Sequence, residues 1–168
     1  MDAQPRTAPS TTAGDRASLV AFLDHQRGTL AMKCAGLTGD QLRRKAVPPS
    51  GLSLLGLVRH AVEVERIWFR LVWGGADIAP YWGPKRDGAY AEFDVQSADP
   101  DEALTAWQQE CAHSRAVVED ATSLDATVRW RDETYSLRYI VTHMIEEYAR
   151  HNGHADLLRE RLDGSTGE

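Results

Sequence analysis

Four stretches of the chain are patterned as helices, and that pattern constrains the fold more than any other feature. From Asp15 to about Cys34, the residues Leu19, Val20, Phe22, Leu23, Leu30 and Met32 recur at roughly helical spacing. Gly36 and Gly39 end this stretch, and the breaker "VPPSG" follows it. Ser53 is a suitable N-cap for a second helix reaching about Trp73, where Gly74 and Gly75 stop it. A third begins near "SADPDEAL" and runs to about Asp120. There Pro100 suits a first turn, and Asp101 and Glu102 suit the positive end of the helix dipole. The fourth runs from near Ser136 to Leu162, with Asp163 and Gly164 as its stop. Each helix must bury its apolar stripe, and four of them with one long crossover make an all-α four-helix bundle.

The connections add detail. "GGADIAPYWGPKRDGAYAEFDVQSADP", between the second and third helices, is longer than an ordinary connection, and such loops are usually lids or disordered. Tyr81, Trp82, Tyr90 and Phe93 argue against disorder, because large aromatic side chains gain from burial. Just before the fourth helix, "ATVRWRDETYS" alternates Val128 and Trp130 beside Thr127, Thr134 and Tyr135, the pattern of a short strand or hairpin. The Pro-, Ser-, Thr- and Ala-containing residues 1–14 read as a flexible lead-in, 15–164 as the bundle and 165–168 as a tail.

At 168 residues, 42% hydrophobic and 26% charged, the chain has the makings of one soluble globular domain. Its net charge is -6 and it shows no basic stripe, so nucleic acid and anionic membrane surfaces are not expected partners. No apolar run is long enough to span a membrane. The N-terminus lacks the apolar core of a secretory signal, and Cys34 and Cys111 read as two reduced thiols, so a cytoplasmic location is expected.

The segment "HMIEEYARHNGHAD" packs three histidines and two glutamates into the fourth helix. At roughly 100° per residue, with His143 at zero, His154 falls near 20°, Glu147 near 40° and His151 near 80°. Leu137, Ile140, Met144, Tyr148, Ala155 and Leu158 occupy about 60° to 140° on the same wheel. Glu147 and His151 therefore project together from the edge of the inward stripe, while Glu146 and Arg150 point to solvent. A carboxylate and an imidazole one turn apart can share a metal ion, although a third ligand must come from elsewhere. In "LSLLGLVRHAVEVERIWFRLVW", His60 shares a face with Leu57, Ala61, Val64, Ile67, Trp68 and Leu71. Such a histidine is either a satisfied core residue or a ligand. Two histidines and one carboxylate match the open three-ligand pattern of zinc, non-haem iron or nickel. Glu65 also turns inward, either as an outer partner to a ligand histidine or as half of a buried ion pair with an arginine. His25 and His113, on separate helices, read as surface or satisfied-core residues.

"GLVRHAVEVERIWF" and, beyond the aromatic loop, "SLRYIVTHMIEEYARHNGHADLLRERLDG" resemble the DinB superfamily. The likeness is to its actinobacterial branch, related to mycothiol-dependent transferases and to the metal-binding domain of mycothiol-dependent maleylpyruvate isomerase. It covers about residues 16 to 164, and the middle matches only in helix order. The resemblance implies a four-helix bundle whose metal ligands fall on His60, Glu147 and His151, with zinc first and nickel or iron fitting the same set. It implies a thiol S-transferase or isomerase in which mycothiol, or a similar small thiol, binds the metal as thiolate and attacks a small electrophile. The isomerase carries a further C-terminal domain where this chain stops, which favours the transferase. His154 is expected to line the pocket or shuttle a proton. Trp82 is expected either to wall the substrate pocket or to belong to a structural flap. Two other readings are a metal-dependent hydrolase, with His154 or Glu65 assisting proton transfer, and a non-catalytic metal- or ligand-binding bundle. A homodimer fits any of the three.

Overall fold

The structure, a computed structural model, describes residues 6–85 and 87–166. In chain order its α-helices are α1 (Asp15–Cys34), the short α2 (Gly39–Arg43), α3 (Leu54–Glu65, continued to Trp73), α4 (Pro100–Asp120) and α5 (Leu137–Asp163). A two-stranded antiparallel sheet, β1 (Thr127–Trp130) and β2 (Glu133–Ser136), precedes α5, with Val128 opposite Tyr135. The protein is thus mostly helical with one small hairpin, and the helices share one apolar core. Residues 1–5 of the expected lead-in and 167–168 of the expected tail lie outside the described residues. Within 6–14, Arg6 donates to Thr29 Oγ1 and the Thr7 carbonyl lies 3.1 Å from His25 Nδ1, so this part runs along α1.

The helix ends follow their chemistry. Ser53 accepts from Gly56 N–H and Ser136 from Tyr139 N–H, each satisfying a donor that the first turn cannot. Asp99 caps α4, with Pro100 just inside. At the far end of α5, Gly164 takes the left-handed conformation (φ 80°), and its N–H closes on the Glu160 carbonyl. Apolar periodicity does not reveal α2, which is too short to carry it. Thr38 and Gln41 nevertheless cap it reciprocally, and Thr-x-x-Gln is the sequence signature of such a cap.

The second expected helix is corrected in its latter half. After Glu65 the chain continues as a π-helix over Arg66–Trp73. A π turn closes i to i+5 and so holds an extra residue, which shifts every later side chain around the axis. The expected stripe placed Ile67 and Leu71 inward. Instead Phe69 and Val72 are buried, and Ile67 is exposed. Arg66 and Arg70, one turn apart, close on the two oxygens of Glu110 from α4 at 3.2 and 2.6 Å. On α1 the expectation for Phe22 also fails: Leu23 and Leu30 enter the core, while Phe22 is exposed.

The long connection lies folded along α3. Trp82 donates its backbone N–H to Glu63 Oε1 (3.0 Å) and its indole N–H to the Arg59 carbonyl (2.9 Å). The Arg59 guanidinium sits over the Trp82 ring and donates to the Asp94 carbonyl. The aromatics do not all gain burial as expected. Tyr81 and Tyr90 are exposed, and each is covered instead by a cation, Arg66 and Lys85 respectively. A short 3-10 turn, Ala91–Phe93, brings this loop back against α3.

Candidate metal centre

Three side chains from two helices meet at the α3–α5 contact. His60 comes from the middle of α3; Glu147 and His151 come from successive turns of α5. His151 Nε2 is 3.5 Å from Glu147 Oε2, and His60 Nε2 is 3.9 Å from the same oxygen. One ligand atom from each residue falls within 4.8 Å of the other two. Zinc with bonds of about 2.0–2.2 Å in a tetrahedral field needs ligand atoms about 3.4 Å apart. The triad therefore has the spacing of a site needing only small rotamer adjustments. All three are half-buried, which suits a centre with one side open.

The protonation state fits as well. Burial disfavours the charged form of His151, and neighbouring His60 adds to it, so its pKa is pushed down to about 4 despite the opposing pull of Glu147. At neutral pH the ring is uncharged and has a lone pair to give. Its Nδ1 lies 3.3 Å from His154 Nδ1, which leaves Nε2 for the triad. His60 Nδ1 lies 3.4 Å from Glu92 Oε1, and its Nε2 likewise faces Glu147. Burial opposes ionisation of Glu92. The hydrogen bond from His60, its own backbone N–H and Arg59 outweigh that and hold the carboxyl below its usual range. Sequence reasoning missed Glu92, because nothing in the order of residues says that a loop carboxylate returns to a helix more than thirty positions upstream.

His143 lies beside the triad. Its Nε2 is 3.7 Å from Glu147 Oε1 and its Nδ1 is 3.4 Å from Glu146. Its ring stands between Trp68 and Tyr139. His25 and His113 do not join the cluster; they lie on α1 and α4.

Two residues singled out from the sequence lie elsewhere. Glu65 does not reach the triad. Of its two readings, the ion pair with an arginine is the one found: Arg27 grips it through Nε (2.8 Å) and Nη2 (2.9 Å). Tyr148 Oη donates to it at 2.8 Å, and all three groups are buried. A carboxylate held this way is spent on the core and has no free oxygen with which to move a proton. Trp82 packs against α3 as a loop anchor. It does not line the apolar recess of about 280 Å³ beside it, which Ile67, Leu71, Ile78, Pro80, Tyr90 and Glu92 enclose. A larger cavity of about 860 Å³ is lined by residues 7–10, α1 and α4, and includes none of the triad.

Comparison with known proteins supplies a family. The family model described as Mycothiol-S-transferase matches residues 18–164. None of the curated proteins matches. A solved structure, a conserved protein from Enterococcus faecalis, superposes with a TM-score of 0.68 at 14% identity, over 88% of this chain and 96% of that one. At that identity the likeness speaks for the fold alone. No described helix is long and apolar enough to cross a membrane. The family match runs from α1 to the end of α5 and spans every residue of the triad, so the chain belongs to the mycothiol-S-transferase family of the DinB superfamily.

Proposed function

We propose that this protein is a metal-dependent thiol S-transferase, built as a four-helix bundle, that joins mycothiol or a similar small thiol to an electrophilic carbon. The observation that carries the reading is the convergence of His60, Glu147 and His151, with both imidazole Nε2 atoms turned toward one carboxylate oxygen. Zinc is the first candidate for the cation, and nickel or iron suit the same donors. When bound, a divalent cation lowers the pKa of a coordinated thiol, so that thiolate is available near neutral pH.

The chain's own residues do the rest. His60, Glu147 and His151 supply two neutral donors and one negative charge, and they leave one side open. Neither cysteine competes as nucleophile: burial pushes the thiols of Cys34 and Cys111 up to about 12, so both stay protonated. The nucleophile is thus left to a cosubstrate. Two free, buried cysteines also suit a reducing compartment such as the cytoplasm. The apolar recess beside Glu92 is the place for the electrophile's carbon skeleton, and exposed Tyr90 and Lys85 stand among its lining. The hydrolase reading is weaker, because both proton-transfer groups it called on are engaged: Glu65 by Arg27 and His154 by His151.

The test is thiol-dependent consumption of a chromogenic aryl halide by zinc-loaded protein, with mycothiol as the thiol. His151→Ala should remove the turnover and the bound metal together, with the circular dichroism unchanged. Full activity in that variant would sink the mechanism.

A further inference from the structure

Glu92 is a buried carboxylate on a loop, and a loop has no packing use for one. It is 5% exposed, in the turn Ala91–Phe93, with Oε1 3.4 Å from His60 Nδ1. Burying a charge is costly unless a partner compensates it, and here His60 and Arg59 are the compensating groups. Several contacts pin the turn. Phe93 stacks on the His60 ring at 5.5 Å and lies over Gly56, where a Cβ would meet its ring at 3.1 Å. The next carbonyl, of Asp94, accepts from Arg59. The carboxylate is thus placed by the fold.

An imidazole whose proton is held on one nitrogen presents a bare lone pair on the other. Glu92 can only accept, so the proton of neutral His60 belongs on Nδ1, and Nε2 faces Glu147 bare. The other triad histidine is held similarly, His151 by His154, and His143 Nε2 lies 3.7 Å from Glu147, but both of those neighbours lie on α5 itself. Glu92 is the partner that arrives from the loop.

We propose that Glu92 is a positioning residue of the metal centre: it fixes the tautomer and orientation of His60 and makes the Ala91–Phe93 turn a part of the site. This rests on the metal reading above. The first readout needs no metal. Long-range ¹H–¹⁵N correlation of the metal-free protein, above the ordinary histidine pKa of about 6.5, should show His60 protonated on Nδ1, and Glu92→Ala should lose that preference. The second is zinc affinity by competition with a chromophoric chelator. Glu92→Ala should bind zinc about 10- to 100-fold more weakly, and Glu92→Gln, which keeps the shape and an acceptor, should fall between it and the parent. Thermal melts confirm that each variant is folded. His60 protonated on Nε2 in the parent, or zinc affinity unchanged in a folded Glu92→Ala, overturns the inference while leaving the metal site standing. A parent that takes up no zinc overturns the metal reading itself.

Discussion

Residue by residue, the chain handles its inward polar groups in two ways. His151 is half-buried and neutral, whereas Glu65 is buried in an ion pair with Arg27 at 2.8–2.9 Å. Each makes its own prediction. Below about pH 6.5 the unfolded chain takes up a proton on this histidine that the folded chain refuses until about 4. The metal-free protein should therefore lose stability as pH falls across that window. His151→Ala should show a shallower slope in pH-dependent melts, and equal slopes would count against burial as the cause. Glu65 behaves differently, since its cost appears when its partner goes. Arg27→Ala leaves an uncompensated carboxylate in the core and should cost about 3–5 kcal/mol in urea unfolding. Replacing both residues with apolar ones of similar size, Arg27→Met with Glu65→Leu, should recover most of that loss.

Among the elements, the long connection carries the most unexpected structure. An aromatic-rich loop could have been a mobile lid. Instead Trp82 ties it to α3 through two hydrogen bonds and a guanidinium stacked on its ring. Trp82→Ala removes the indole bond and the stacking, together about 2 kcal/mol of local stability. Opening of the loop, and cutting by trypsin after the exposed Lys85, should then run about 30-fold faster at low protease. An unchanged digestion rate would mean that the remaining contacts hold the loop alone. The π-helical end of α3 is the companion case. Its extra residue per turn puts Phe69 in the core and Ile67 outside, where the recess beside Glu92 uses it as lining.

Over the whole molecule, the candidate site lies across a packing contact between α3 and α5, so a cation bound there would stabilise the assembled helices and not the unfolded chain. At a zinc concentration about 100 times its Kd, the gain would be about 2.7 kcal/mol. For a domain of this size that is a rise of about 5–10 °C in Tm. Scanning fluorimetry with zinc against chelator checks it, beside the His60→Ala, Glu147→Ala, His151→Ala triple variant, which should not respond. A parent whose Tm ignores zinc would count against the centre.

The parts of this protein legible in its sequence are those set by short-range rules. Helix periodicity, the Ser53 and Ser136 caps, the Gly164 stop and the hairpin before α5 each depend on neighbours a few residues away. The one-turn spacing of Glu147 and His151 belongs to the same class, because a single helix fixes it. Tertiary structure decided what depends on contact between distant segments. It chose Arg27 over the histidines as the partner of Glu65, and it turned α3 into a π-helix where Arg66 and Arg70 meet Glu110. It also returned Glu92 to His60. A charge or a widened turn is settled by what comes to lie against it, and local periodicity does not encode that.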